Sequence, residues 1–214
     1  MVLKSYSPKK NTMTQSTITL AMTGASGAAY GLRLLEQLII AKQSIYFLVS
    51  APAQMVINLE IDFKLPSQPA AIQAFLSERY QAAPGQLEVF GHKQWTAPIA
   101  SGNAVSRAMV ICPCTSGTLA AIASGLSRNL IERAADVILK EQRKLILVHR
   151  ETPLSVIHIE NMLRLAKMGT LILPANPGFY HHPQNLNDMI DFIVARILDH
   201  LEIEHDLLPR WGEG

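Results

Sequence analysis

Short apolar segments alternate with amphipathic ones along most of this sequence. Six apolar segments have the length and the residue types of β-strands. Because they are apolar at nearly every position, we expect both faces of each strand to be buried, as in a parallel sheet covered by helices on both sides. The predicted strands are residues 17–23, 44–50, 86–90, 107–114, 144–150 and 169–175.

Between these strands, apolar residues recur with the period of a helix. In the first helical segment, for example, Leu32, Leu35 and Leu38 fall on one side. Strands that alternate with helices predict a doubly wound α/β sandwich of about six units. The predicted helices are residues 28–42, 52–60, 69–80, about 116–123, 129–142, 154–168 and 185–202.

Length and composition indicate one globular domain. The chain has 214 residues and a net charge of +2, which gives no reason to expect binding to nucleic acid or to a membrane surface. No apolar segment reaches transmembrane length. Residues 1–16 are basic and polar, and we expect a disordered extension there, followed by one domain over residues 17–214.

Three glycines separate the first predicted strand from the first predicted helix. Gly24, Gly27 and Gly31 have the spacing GxxGxxxG within "MTGASGAAYG". Glycines in this position often let the backbone approach a phosphate. The spacing is not the dinucleotide fingerprint GxGxxG, and no lysine is present to make a P-loop.

Polar residues follow several predicted strands, and the carboxyl ends of parallel strands meet at one edge. Helix capping would explain any one of them. Several together favour a phosphate-bearing ligand. Ser50 stands where an NAD site would have an acidic residue, so an FMN-like mononucleotide fits better. These residues are Thr23 to Ser26, Ser50, Thr115 to Thr118, Arg150 with Glu151, and Asn176.

Other candidate groups have simpler explanations. Arg133 and Lys140 lie two turns apart on one predicted helix face, and the pattern alone favours a solvated stripe. Cys112 and Cys114 are too close together for an ordinary structural disulfide, so we expect buried thiols and a reducing, cytoplasmic setting. His181 and His182 lack acidic partners at ligand spacing. With no DDxxD-type segment either, the sequence predicts no metal site.

Four long segments carry a resemblance to a known family. They are "MTGASGAAYGLRLLE", "SGLSRNLIERAADVILKEQRKLILVHRETPLS", "HIENMLRLAKMGTLILPANPGFYH" and "DFIVARILDHL…LLPRWGE". Together they resemble the UbiX-type flavin prenyltransferases, which were long labelled aromatic acid decarboxylases. The resemblance covers about residues 17 to 213.

This resemblance implies a Rossmann-like flavoprotein fold, a three-layer sandwich that binds FMN. It implies transfer of a dimethylallyl group from dimethylallyl phosphate to N5 and C6 of reduced FMN, without a metal. The prenylated FMN would serve a UbiD-type decarboxylase, in ubiquinone biosynthesis or in aromatic acid breakdown. It also implies a homododecamer with sites shared between subunits.

The resemblance also assigns site residues by motif. Implied catalytic residues are Ser26, Glu60, Lys140 and Glu151. Implied FMN-binding residues are Gly24, Ala25, Ser26, Ser50, Ser101, Gly102, Thr115, Ser116, Gly117, Thr118, Arg133 and Arg150. Implied dimethylallyl phosphate residues are Lys140, Arg150, Glu151, Tyr180, Arg196 and Trp211. This chain departs from the family pattern in "CTSGT" for "CSTGT", in "VHRE" for "VPRE" and at Asn103.

Two other functions stay open from the sequence. One is a flavoprotein decarboxylase like the phosphopantothenoylcysteine decarboxylases, which depend on a histidine after the first helix; this sequence has none there. The other is a flavin carrier without catalysis. For a prenyltransferase, Lys140, Arg150 and Arg196 would hold the departing phosphate. Glu151, Ser26 or the phosphate itself would take the ring proton.

Overall fold

The computed structural model describes residues 17–208. Its centre is a six-stranded sheet in the order β3-β2-β1-β4-β5-β6, and every neighbouring pair of strands is parallel. The predicted doubly wound sandwich is confirmed. The predicted extension, residues 1–16, and the predicted site residue Trp211 lie outside the described residues. The strands are β1 (Thr17–Met22), β2 (Ser44–Val49), β3 (Leu87–Phe90), β4 (Ala108–Cys114), β5 (Lys144–His149) and β6 (Leu171–Ile172).

The described residues form seven α-helices, each close to its predicted bounds. Two short 3₁₀ turns, Pro98–Ala100 and Gly102–Ala104, precede β4 and were not predicted. The helices are α1 (Ala28–Ile40), α2 (Ala51–Glu60), α3 (Pro69–Arg79), α4 (Ser116–Ala123), α5 (Leu130–Lys140), α6 (Val156–Ala166) and α7 (Leu186–His200).

The core lies on both faces of the sheet, as the apolar strands predicted. Every residue of β1 and of β4 is buried. Successive side chains of a strand point to opposite faces. On β1, Leu20 therefore packs in the cluster that holds Leu35 of α1, whereas Ala21 packs in the cluster that holds Ile138 of α5.

The sixth strand is shorter than predicted. The sequence predicted residues 169–175, but only Leu171 and Ile172 form β6. Hydrogen bonds to β5 continue beyond it, from Leu173 N–H to Leu147 and from Ala175 N–H to His149. Pro174 lies between these two residues and has no amide proton to donate, and β6 is an edge strand, so the regular ladder ends early.

The strand order fixes where a ligand can bind. From β1 the sheet continues through β2 to β3 on one side and through β4 to β6 on the other. The connections that leave β1 and β4 therefore diverge at the carboxyl edge of the sheet. In parallel α/β sheets such a switch point opens a crevice for a ligand.

Candidate functional site

Thr23 joins the two loops that border the switch point. Its hydroxyl donates to the carbonyl of Pro113 at 2.9 Å and accepts from the backbone N–H of Thr115, also at 2.9 Å. The Thr23 side chain is buried, so these hydrogen bonds form away from water. The sequence placed Thr23 at a strand end, but its partners lie about 90 residues away and could not be predicted.

Two predicted ligand residues are helix caps. Ser50 Oγ accepts from Ala53 N–H at the start of α2, and Thr115 Oγ1 accepts from Thr118 N–H at the start of α4, each at 3.1 Å. Both helices therefore begin at the carboxyl edge. A helix N-terminus leaves backbone amides and a partial positive charge for an anion, so capping and phosphate binding are compatible here.

Two glycines of the opening loop are needed for close packing. A Cβ on Gly24 would lie 2.4 Å from Cβ of Pro52, in the first turn of α2. A Cβ on Gly31 would lie 2.3 Å from the carbonyl oxygen of Cys112 on β4. The glycine spacing therefore brings the β1–α1 loop against α2 and brings α1 against the sheet. Close packing therefore requires these two glycines whether or not a phosphate binds at this loop.

Three predicted site residues meet beside this loop. The Ser26 side chain hydrogen-bonds to Glu60, and the carbonyl of Ser26 accepts from Arg150 Nε at 3.3 Å. Ser26 lies between β1 and α1, Glu60 ends α2, and Arg150 follows β5. The fold thus brings together a hydroxyl, a carboxylate and a guanidinium from three separate segments.

The Glu60 carboxylate is held in its ionised form. Partial burial opposes ionisation, but hydrogen bonds from Ser26 and from the amides of Ala28 and Gly27 outweigh it. Arg150 adds a favourable charge. The pKa of Glu60 therefore lies below its ordinary value.

A second hydrogen-bonded group lies at the neighbouring strand end. Ser116 Oγ donates to Glu151 Oε2 at 3.1 Å and lies 3.1 Å from Nε2 of His149. The hydrogen bond from Ser116, followed by one from Thr152 N–H, lowers the pKa of Glu151. Together with Ser26, Glu60 and Arg150, the residues Ser116 and Glu151 form what we call the carboxyl-edge cluster.

Lys140 lies away from the carboxyl-edge cluster of its own protomer. It ends α5, four residues before β5 begins at the amino edge of the sheet, whereas Arg150 follows the carboxyl end of β5. A six-residue strand spans about 20 Å. The Lys140 ammonium instead forms an ion pair with Glu141, and its side chain is 48% exposed.

Three other predicted site residues lie on α5 or beside it, close to Lys140. Arg133 Nε donates to the carbonyl of Ala100 at 3.0 Å, and its guanidinium pairs with Asp136. Gly102 is close to Lys140, because a Cβ placed on it would lie 3.1 Å from the lysine Nζ. Ser101 begins the same turn. We call Ser101, Gly102, Arg133 and Lys140 the α5 group.

The late part of the chain contributes two more predicted residues. Tyr180 is exposed in the loop between β6 and α7. Arg196, on α7, pairs with Asp199 at 2.8 Å. Four residues later, the carbonyl of His200 accepts from Lys144 Nζ, so this end of α7 lies near the amino edge of the sheet. Arg196 is therefore also distant from Arg150 within one protomer.

The cysteines and histidines were further candidates for chemistry in the sequence. Cys112 and Cys114 are fully buried free thiols, as predicted, and burial raises both pKa values, that of Cys114 to about 12. No group of three or more His, Cys, Asp or Glu side chains in this range could hold a metal ion. No helix in the same range is long and apolar enough to cross a membrane.

Comparison with known proteins decides between the flavoprotein functions that the sequence left open. A family model described as Flavoprotein matches residues 6–198. The flavin prenyltransferase UbiX of Pseudomonas aeruginosa is 60% identical over 196 residues, which cover 92% of this chain and 94% of that protein. The chain belongs to the UbiX family of flavin prenyltransferases. It is therefore a transferase that acts on a flavin, rather than a flavoprotein decarboxylase or a carrier.

Two solved structures agree with this family in fold. The crystal structure of AnUbiX (PadA1) in complex with FMN and dimethylallyl pyrophosphate has a TM-score of 0.83 and 37% identity, and the match covers 94% of this chain and 99% of that one. A dodecameric FMN-dependent UbiX-like decarboxylase from Escherichia coli O157:H7 has a TM-score of 0.81 and 38% identity, with 91% and 98% covered. The predicted Rossmann-like flavoprotein fold is confirmed.

Proposed function

We propose that this flavin prenyltransferase joins a dimethylallyl group from dimethylallyl phosphate to N5 and C6 of reduced FMN. The observation that carries the proposal is the carboxyl-edge cluster, which lies beside the starts of α1 and α4 at the switch point. When bound, reduced FMN supplies the two nucleophilic ring atoms. The product would serve a UbiD-type decarboxylase, and we place the reaction in the cytoplasm.

The residues at the switch point fit FMN by their chemistry. Small hydroxyl donors and backbone amides suit a ribityl chain and a phosphate, and the helix starts capped by Ser50 and Thr115 favour an anion. Because Gly24 has no side chain, the β1–α1 loop can pack closely against Pro52. Ala25 lies in the β1–α1 loop and Gly117 and Thr118 lie in the first turn of α4, and we assign all three to FMN binding.

Cations must hold the phosphate that leaves when the allylic C–O bond breaks. Arg150 is the cation of the carboxyl-edge cluster, and its guanidinium can donate to two phosphate oxygens. We assign Lys140 and Arg196 to the same phosphate, with the Tyr180 hydroxyl as a neutral donor. Trp211, the other residue that the resemblance implies here, lies outside the described residues, and we assign it to the prenyl group.

Lys140 and Arg196 can only reach this phosphate from a neighbouring subunit. Each lies near the amino edge of its own sheet, about one strand length from Arg150. We infer that the α5 group and Arg196 of one protomer complete the carboxyl-edge cluster of another. Lys140 now pairs with Glu141, and Arg196 pairs with Asp199. These carboxylates would hold the two cations in place until the phosphate replaces them as the partner.

An exposed apolar face supports assembly of the chain with itself. Residues on α6 leave large apolar side chains in solvent: Val156 is 69% exposed, Ile157 67%, Ile159 52% and Leu163 54%. A helix face of this kind is typical of an interface. We propose a higher homo-oligomer, a dodecamer, in which α6 contacts other copies.

The second bond, at C6, forms when the prenyl C=C bond gains a proton and the ring carbon loses one, so the site needs a group that accepts the ring proton. We assign Glu151 as the acceptor because its carboxylate is ionised and belongs, like Arg150, to the carboxyl-edge cluster. Ser26, which hydrogen-bonds to Glu60, can relay the proton or orient the ring. Holding these groups in fixed positions lowers the barrier without any movement during the reaction.

Subunit complementation tests the shared site. The Ser26→Ala and Lys140→Ala variants, each nearly inactive alone, are co-expressed with different affinity tags and purified as mixed oligomers. If a site takes Ser26 from one subunit and Lys140 from another, about one quarter of the mixed sites are intact. We therefore expect about a quarter of wild-type formation of prenylated FMN.

Two controls make this result decisive. Oligomers that carry both substitutions in every chain should stay inactive. Oligomers that mix wild-type and double-variant chains show how much activity remains when only part of the sites are intact. Mixed oligomers without recovered activity would show that both residues act within one protomer or that Lys140 is not in the site. Wild-type protein that binds FMN but forms no prenylated product would refute the proposed reaction itself.

A further inference from the structure

A buried histidine, His149, is linked through one serine hydroxyl to Glu151, the proposed proton acceptor. His149 is the last residue of β5 and exposes 3% of its surface. Its Nε2 lies 3.1 Å from the hydroxyl oxygen of Ser116, at the start of α4. The same hydroxyl donates to Glu151 at 3.1 Å.

The hydrogen bonds have a defined direction. A serine hydroxyl carries one proton, and that of Ser116 goes to Glu151. The Ser116 oxygen can then only accept from His149, so Nε2 of the imidazole carries hydrogen. The three groups form a chain from His149 through Ser116 to Glu151.

We propose that His149 is a positioning residue for prenyl transfer: through the Ser116 hydroxyl it holds the Glu151 carboxylate ionised and in one orientation. The inference rests on the proposed function, in which Glu151 accepts the ring proton. Without His149 the hydroxyl could rotate toward other acceptors. The carboxylate would then lose its side-chain donor for part of the time.

The surroundings of His149 favour its neutral imidazole. Burial lowers its pKa, and His158 on α6, with ring centroids 6.1 Å apart, lowers it further. Glu151 acts in the opposite direction, and Arg150 adds a small lowering. On the other side, β4 presents Cys114, the register partner of His149, as a buried thiol whose pKa is raised to about 12.

The pH dependence of single-turnover prenylation tests the proposal. We expect His149→Leu to move the acidic limb of the rate profile to higher pH, because Glu151 protonates more easily. At the pH of that limb the rate should fall about threefold to tenfold, the effect of one lost hydrogen bond between neutral groups. The KM for dimethylallyl phosphate should stay the same.

Three further variants separate positioning from packing. His149→Gln can restore an N–H donor near Nε2 and should return the limb toward wild type. Ser116→Ala removes the link and should shift the limb as His149→Leu does, which keeps the test valid if His149→Leu does not fold. Glu88→Gln removes an exposed charge from β3, at the edge of the sheet far from β5, and should leave the limb in place.

Hydrogen exchange at the imidazole C2 gives a readout that is independent of activity. Measured by mass spectrometry against pH, it reports the titration midpoint of each histidine. We expect Glu151→Gln to lower the midpoint of His149, since the carboxylate no longer stabilises the imidazolium, and to leave that of His92 unchanged.

The outcomes separate this inference from the proposed function. If wild-type protein does not prenylate FMN, the proposed function fails, while the exchange measurement still decides whether His149 and Glu151 are coupled. If it does prenylate, an unshifted acidic limb in both His149→Leu and Ser116→Ala overturns the positioning role. An unchanged His149 midpoint in Glu151→Gln overturns it as well.

Discussion

Glu60 Oε2 lies 2.9 Å from the backbone nitrogen of Ala28, so the last residue of α2 caps the first turn of α1. The same oxygen accepts from Gly27 N–H, also at 2.9 Å. Gly27 is the N-cap of α1 and has no side chain that could do this. A carboxylate at a helix N-terminus satisfies free amides and favours the helix dipole. It also fixes the loop that contains Ser26.

We expect Glu60→Gln to lower the free energy of unfolding at pH 7 by about 0.5–1 kcal/mol, at the low end for caps because the carboxylate is partly in solvent. The folded pKa of Glu60 lies below the unfolded value of about 4.3, so this contribution is complete above that value. It disappears as the pH falls through the folded pKa. Urea unfolding at pH 7 and pH 3 measures the difference.

Glu78→Gln is the matched control for Glu60→Gln, because Glu78 is exposed on α3. We expect no change in stability from it. Equal effects of the two substitutions at pH 7, or an effect of Glu60→Gln that grows toward pH 3, would contradict the capping role.

Ser26→Ala should fold and bind FMN but form little prenylated product. The Ser26 hydroxyl forms a hydrogen bond with Glu60 in the carboxyl-edge cluster, where it can contact a bound flavin. Ser127→Ala, in the exposed turn before α5, should keep wild-type turnover. The measurement is the absorbance of prenylated FMN in a single turnover, and normal product formation by Ser26→Ala would remove Ser26 from the chemistry.

Lys140→Ala should keep its fold and its flavin yet lose most prenylation. A cation on the departing phosphate in a partly dry site contributes about 2–4 kcal/mol to the transition state, a drop of roughly thirtyfold to a thousandfold. Tyr180→Phe should lose less, because a neutral hydroxyl donates more weakly. Lys167→Ala, which changes the exposed lysine that follows α6, is the control and should change little. If Lys140→Ala matches wild type, this lysine is a solvated surface charge.

Ile157→Asp should break the assembly into smaller species and lower prenylation with it. Burial of one large apolar side chain contributes about 1.5–3 kcal/mol, and a buried carboxylate would reverse that gain. Light scattering should give a mass of many times 23.5 kDa for wild type and far less for the variant. Ala70→Asp adds the same charge at an exposed position of α3 and should leave the assembly intact. A fully active monomeric wild type would refute the shared site.

Prenyl transfer should survive EDTA. In the proposed site, Arg150, Lys140 and Arg196 neutralise the leaving phosphate, which is the task that Mg²⁺ performs in other enzymes. The rate of single-turnover prenylation should be equal before and after prolonged chelation and desalting. Activity that disappears with EDTA and returns with added Mg²⁺ would mean that the cations have another role.

The sequence by itself determined the secondary structure and the family. Buried strands such as residues 107–114 are apolar throughout, and a local pattern of this kind is enough to predict a parallel sheet with helices on both faces. The long motifs were specific enough to predict the flavin prenyltransferase family. The end of β6 was predicted less well, because its hydrogen bonds depend on the position of β5 and on Pro174.

The tertiary structure alone decided which side chains meet. Glu60 and Ala28 are 32 residues apart, Thr23 and Thr115 are 92 apart, and no periodic pattern records such pairs. The Ser116 contact of His149 likewise depends on the pairing of β4 with β5. Most importantly, the direction of α5 carries Lys140 to the amino edge, away from Arg150. Residue spacing specifies local conformation, whereas strand order and helix direction follow from how the core packs.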